Sequence, residues 1–475
     1  MKYFYSFCLI LVAIQANSQF SVTKYFDITP PQYDLGTKIL PDGDGYAIFG
    51  YQLPLGSSSG GDLFLLRLDK DGNELSRHVY GLLNKKEGMG KGVVPVGNNG
   101  WLIAGWQLLS GSGAPKGFLV RVGSNGNVLW SNTLTIPNIA QVMIYDLVAL
   151  PTGGFIAVGG ASSVTAVIKL SDDGDVIWSK KFNYGPANSV CINATGGNCF
   201  VLSRNKVLKI RTTDGLLKWT ADIELPQFGN PDGFMSVDLS DIVSIGDGSF
   251  AITGTALNDE IFDFTLAPYA SLWKETGEIL WTEAYPADPN TGEGGGSGKS
   301  ILYLPNQQEF LLSSEGNDGI NITRVDRKGN LLAVHKIPTP GLCVFPVLNK
   351  HQGKYFATGG IFFGGMNTLF FRSAGNWFPD ESLKMDNRSH LPTKQTGTIS
   401  PNPTSDMLNL KFSSQYECLI KIKVINAVGK VVMESQNQVS LGENLIALNV
   451  NSLPSGVYWI SAPEIEFPTK IWVKK

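Results

Sequence analysis

Between residues 63 and 81 the chain reads LFLLRLDKDGNELSRHVYG, an alternating run that enters an Asp-Gly-Asn turn and leaves it as a second alternating run. Asn or Asp followed by Gly between alternating apolar runs specifies a tight hairpin, because both turn positions accept positive φ. The phrase returns at Ser124-Asn125-Gly126-Asn127, Asp172-Asp173-Gly174-Asp175, Thr213-Asp214-Gly215, Glu275-Thr276-Gly277-Glu278 and Arg327-Lys328-Gly329-Asn330. A worn copy at Ser373-Ala374-Gly375-Asn376 makes seven. Trp130, Trp178, Trp219 and Trp281 each stand four residues after the turn Gly, a position that suits packing between repeats.

A second hairpin precedes each of these, beginning at Ile39, Val93, Leu147, Cys191, Ile242, Ile301 and Val344. The two alternate strictly, so each unit supplies four short antiparallel strands with a period of roughly 50 residues, the range of propeller blades. One four-stranded sheet cannot bury both faces, whereas seven set radially cover each other. The seventh unit lacks a good fourth strand, and Phe20 to Phe26 (FSVTKYF) has a strand pattern with no partner of its own. The expectation is an all-β protein: a seven-bladed β-propeller of four-stranded blades closed by its N-terminal strand, followed by a small Ig-like β-sandwich.

The expected boundaries are a signal peptide over 1–18, the propeller over 19–378, a polar linker over 379–396 and the sandwich over 397–475. Lys2, an apolar core too short to anchor in a bilayer, and Ala16-Asn17-Ser18 place a cut between Ser18 and Gln19. No later stretch is long and apolar enough to span a membrane, so the mature protein is expected to be exported and soluble. With 38 basic and 41 acidic residues, the chain has no basic stripe of the kind nucleic-acid binders carry. Cys191 and Cys199 flank a hairpin turn, which leaves a disulfide and two unpaired thiols both open.

Short turns are expected on one face of the propeller and long connections on the other; the long ones are Tyr51 to Asp62, Trp106 to Gly117, Thr135 to Tyr145, Leu225 to Ser240, Ala256 to Leu266 and Tyr285 to Lys299. Loops on a rigid scaffold usually carry binding. Tyr51 and Trp106 hold equivalent positions at the roots of this face and offer stacking surfaces, with Phe228 and Phe234 beside them. Asp146 and Asp241 enter inner strands near the axis. No metal site, cofactor or catalytic residue is expected. The Asp69 turn departs from a calcium loop at Glu74 and Tyr80, and Gly294 to Ser300 lacks the first Gly and the helix of a phosphate loop, which leaves a flexible connection.

The last eighty or so residues closely resemble the type A C-terminal sorting domain of type IX secretion cargo from Bacteroidota. The motifs are Ser400-Pro401-Asn402-Pro403 with Asp406 to Leu410, Asn426-Ala427-Val428-Gly429-Lys430, Leu453-Pro454-Ser455-Gly456-Val457-Tyr458, and Lys470-Ile471-Trp472-Val473-Lys474-Lys475. The resemblance implies a two-step export to the cell surface or medium, with the translocon, its shuttle and a sortase as partners. The repeats are similar to those of Bacteroidota surface propellers and of quinoproteins, Thr276 to Trp281 being the best copy. The expected role is a non-catalytic module that binds a glycan or protein through the variable-loop face. The alternatives are an architectural subunit of a surface assembly, or a propeller enzyme acting on glycans or using a quinone.

Overall fold

The computed structural model describes residues 20–26, 32–54, 61–81, 85–97, 100–109, 114–225, 236–260, 263–287, 294–316, 319–339, 341–362, 366–373, 398–400, 406–414, 418–426, 431–440, 442–462 and 467–474. Ser18, Gln19, Phe228, Phe234, Pro401, Asn402, Pro403, Gly429 and Lys430 lie outside them. All of the described secondary structure longer than a turn is β-strand. The chain separates into two compact units, 1–288 with 292–385, and 386–475 with 289–291.

The first unit is a seven-bladed propeller whose strands pair in chain order within each blade. Blade 1 is Gln32–Asp42, Gly45–Pro54, Leu63–Leu68 and Glu74–Tyr80. In blade 2 the inner strand is broken into Lys85–Gly88 and Val93–Pro95, both paired with Trp101–Leu109. Blade 7 has the order Phe20–Phe26, Met366–Ser373, Lys354–Phe362, Cys343–His351, so the N-terminal strand supplies its outer edge. Burial explains why the closure holds: Phe26 packs against a core in which Ile39, Ile48, Phe64 and Leu66 of blade 1 meet Phe356 and Phe370 of blade 7.

The turn motif also joins neighbouring blades. A Cβ on Gly174 would come 2.6 Å from the Trp130 ring, and its φ of +85° already excludes most residues. Gly215, Gly277 and Gly329 likewise sit under Trp178, Trp219 and Trp281 of the preceding blade. Trp281 Nε1 donates to Arg327 O at 2.9 Å and Trp178 Nε1 to Thr212 O at 3.2 Å. Blade 1 has no Trp there; the His78 ring lies at Gly126 and Tyr80 Oη donates to Gly126 O at 2.7 Å.

One open alternative is decided and two expectations change. Cys191 pairs across the hairpin with Phe200, and Cys199 with Ile192. That one-residue offset points the thiols to opposite faces. Cys191 packs toward blade 5 and Cys199 toward blade 3, and both are free. Ala256 to Leu266 is a hairpin arm rather than a loop: Ser249–Glu260 and Asp263–Lys274 stay paired to Glu260↔Asp263. Gly294, Gly295 and Gly296 are packed, not flexible. All three have positive φ; the Gly294 and Gly295 carbonyls accept hydrogen bonds from Asn321 and Ser314, as at Ser314 Oγ to Gly295 O, 2.6 Å, and the Gly296 N–H donates to Leu266 O at 2.9 Å.

The second unit has a three-stranded sheet (Thr398–Ser400, Met407–Ser414, Gly442–Asn449) and a four-stranded one (Val431–Val439, Cys418–Asn426, Gly456–Ala462, Phe467–Lys474). Leu408, Leu410 and Phe412 from one sheet share a core with Ile420, Ile422, Val424 and Ile460 from the other. This is the sandwich the alternation of Ile420, Lys421, Ile422, Lys423 and Val424 predicts.

Candidate ligand site at the axial mouth

The inner strands share an irregularity that periodicity does not reveal. Register shifts fall at Thr37, Tyr145, Asn188, Ser240, Lys299 and the pair Phe345-Pro346. In blade 2 the strand breaks outright around Lys91. A bulge adds one unpaired residue and re-aims its side chain. Because inner strands run from the variable face toward the tight-turn face, these residues form a ring just inside the variable-face mouth.

Lys91 crosses this ring. Its Nζ donates to Asp241 Oδ1 at 2.5 Å and to Ser240 O at 2.8 Å, both on blade 5, and lies 3.4 Å from Ser189 Oγ on blade 4. Asp241 Oδ2 accepts from the Ile301 N–H of blade 6 at 3.1 Å. Asp146 repeats the device one pair of blades earlier, its Oδ2 accepting from Val190 N at 3.0 Å. Ser189 Oγ lies 2.8 Å from Asp146 Oδ2 and 3.0 Å from Asp241 Oδ1, linking the two carboxylates. Desolvation pushes the Asp241 carboxyl up, but Lys91 and Lys38 overcome it and hold the group below the usual carboxylate range. The structure thus brings Asp146 and Asp241 together at the axis, as blade-to-blade ties.

The aromatic residues fall on consecutive blades. Tyr51 of blade 1 is half-buried against the core between blades 1 and 2. Burial raises its hydroxyl pKa, and the neighbouring Tyr145 hydroxyl of blade 3 adds to that. Trp106 of blade 2 lies over its own inner strand, since a Cβ on Gly88 would come 2.3 Å from the indole. Tyr145 Oη donates to Met143 Sδ at 3.0 Å. The residue that sequence reasoning missed is Phe345 of blade 7. It is 49% exposed and has φ +53°, with its N–H donated to Glu315 Oε1 at 2.9 Å. Its one sequence signal is the Pro that follows it, which restricts the backbone before it. Lys299 Nζ stands 5.2 Å from the Phe345 ring centroid and 3.6 Å from Glu315 Oε2. Across the ring, Asn188, Ser240 and Lys299 of blades 4 to 6 supply polar groups.

On the opposite face the best-formed turns engage their own acids. Asp69 Oδ1 accepts the N–H groups of Asp71 and Asn73, both at 2.8 Å, and Asp326 repeats this with Lys328 and Asn330. These acids hold hairpin turns. Among the described residues no group of three or more His, Cys, Asp or Glu side chains is placed to hold a metal ion, and no helix is long and apolar enough to cross a membrane.

In the second unit Lys474 is buried, its Nζ donating to Val450 O and Asn451 O, both at 2.7 Å. Tyr458 Oη donates to Pro454 O at 2.7 Å, and Gly456 opens the same strand. These motif residues fix the turn at 450–454.

Residues 398–473 match the family described as the secretion system C-terminal sorting domain. Fold and domain together define a β-propeller exported by the type IX secretion system to the cell surface or the medium. A sequence search of curated proteins gives no match. Among solved structures the chain is similar to BamB from Moraxella catarrhalis, at 13% identity and TM-score 0.40, covering 74% of this chain and 99% of that one. It is similar to Raptor from Chaetomium thermophilum at 10% identity and TM-score 0.45, covering 73% and 30%. The periplasmic gluconolactonase PpgL from Pseudomonas aeruginosa follows at 12% identity and TM-score 0.47, covering 67% and 88%. The fold assignment rests on the blades themselves.

Proposed function

We propose that this protein is an exported binding module that takes an extracellular glycan or protein at the axial mouth of its variable-loop face, without catalysis. The observation that carries the reading is the difference between the two faces. Turn acids such as Asp69 and Asp326 are engaged by their own backbone, whereas the mouth sets partly buried aromatic and polar side chains, several of them tied to the neighbouring blade, around the exposed Phe345 ring. Rigid strands position these groups, which is the arrangement that favours recognition. Domain boundaries follow the same reading: a removable leader over 1–18, the module over 19–378, a tether over 379–396 and the sorting domain over 397–475.

The test uses bulk rather than truncation. With Cys418 replaced by Ser, the cysteines that remain after the leader are Cys191, Cys199 and Cys343; all three are buried, and burial pushes the Cys199 and Cys343 thiols up to about 12, so they resist modification. Leu342→Cys places a reactive thiol on the variable face and Asp173→Cys one on a tight turn. Coupling polyethylene glycol at 342 should reduce retention on cell-surface extract by more than about tenfold, while coupling at 173 leaves it unchanged. The reverse pattern would refute the reading.

An architectural subunit is the second reading. Leu75, Leu129, Ile177 and Leu280, each three residues after a turn Gly, are exposed on the outer strands. Repeated exposed apolar residues suit a docking rim.

A further inference from the structure

We infer that Phe345, Lys299 and Glu315 form a carbohydrate subsite that takes a neutral hexose ring of an extracellular glycan. The inference rests on the variable-face reading above and narrows its ligand. Phe345 carries the argument because its backbone is unusual in two ways. A bulky residue at φ +53° occupies a region that L side chains rarely adopt. It also precedes Pro346, which disfavours compact conformations at that position. The surroundings enforce it: Glu315 Oε1 accepts the Phe345 N–H, and Ser313 Oγ donates to Pro346 O at 2.6 Å. Strain of this kind persists where the neighbouring structure imposes it, and it collects at ligand sites. What it achieves here is to hold an aromatic ring half out of the protein, where packing alone would bury it.

The groups around that ring select the ligand. Lys299 and Glu315 are 3.6 Å apart, an ion pair without a hydrogen bond, and both are partly exposed. Neighbouring hydroxyls of a sugar can donate to the carboxylate and accept from the ammonium, while the apolar C–H face of the same ring lies on the aromatic face. An apolar peptide side chain would use the Phe345 ring but partly desolvate the charged pair without adding a hydrogen bond to it. A hexose uses all three groups at once. Asn188 and Ser240, farther round the mouth, donate to Leu239 O at 2.9 Å and to Gly298 O at 2.8 Å, and their side-chain oxygens remain as acceptors for adjoining sugar units.

Calorimetric titration of the full mature chain with neutral oligosaccharides of glucose, galactose and mannose tests this. At least one should bind. Phe345→Gly should weaken that binding more than about tenfold while leaving Tm unchanged or higher, because Gly relieves the positive φ. Phe345→Leu keeps apolar bulk without an aromatic face and should lose affinity as well. Glu315→Gln keeps the acceptor for the Phe345 N–H, removes the charge, and should weaken binding at constant Tm. Full affinity in Phe345→Gly or Phe345→Leu would overturn the subsite and leave the variable-face reading standing. So would absence of any oligosaccharide binding when a protein ligand docks on the same face. A ligand held only on the tight-turn face would overturn both.

Discussion

Asp241 concentrates the axial chemistry in one side chain, because it receives an ammonium from blade 2, a hydroxyl from blade 4 and a backbone N–H from blade 6. A largely buried carboxylate is stable only when paired in this way. Asp241→Asn would leave the Lys91 charge without its counter-ion, a change that costs about 3 kcal/mol in comparable buried pairs. Urea unfolding at pH 7 should show that loss. The folded carboxyl lies below its unfolded value of about 3.9, so its contribution is complete above that pH and disappears as pH falls through the folded value. The gap between wild type and Asp241→Asn should therefore close in acid. An equal gap at pH 7 and in acid would show that the charge plays no part.

Among the elements, the N-terminal strand has the largest effect for its length. It pairs along Met366–Ser373, places Phe26 in the core between blades 7 and 1, and sends Lys24 Nζ to Asn73 Oδ1 at 2.6 Å, onto the turn of blade 1. A chain starting at residue 27 should melt roughly 10 °C lower, as calorimetry would show; an unchanged melting curve would rule out this closure. Strand count, turn positions and closure were legible because each has a local cause: Gly where φ is positive, alternation where one face is buried. The bulges were not legible, since one inserted residue leaves a strand pattern nearly intact. The same limit left Cys191 and Cys199 open between a disulfide and two thiols, since their one-residue offset decides which face each takes. Phe345 reads in sequence as the start of a strand, and only the backbone conformation marks it. Asp146 and Asp241 read in sequence as acids entering inner strands, but their partners come from strands more than forty residues away.

At the scale of the whole molecule, two compact units divide two tasks. The sorting domain directs export, and its buried Lys474 and Tyr458 show that part of its motif set maintains the fold. In the propeller, the strand Met366–Ser373 ends on the tight-turn side, where Phe20 also begins, so both chain ends of the ring leave from the face whose turns are closed. The ligand proposed for this module takes the opposite, variable-loop face. Hydrogen exchange on the mature chain, alone and saturated with cell-surface polysaccharide or with outer-membrane protein extract, tests that claim most directly. Protection is predicted at 236–240, 296–299 and 341–346, with the turns at 171–175 and 326–330 unchanged. Protection of those turns, with the axial segments unaffected, would contradict the account.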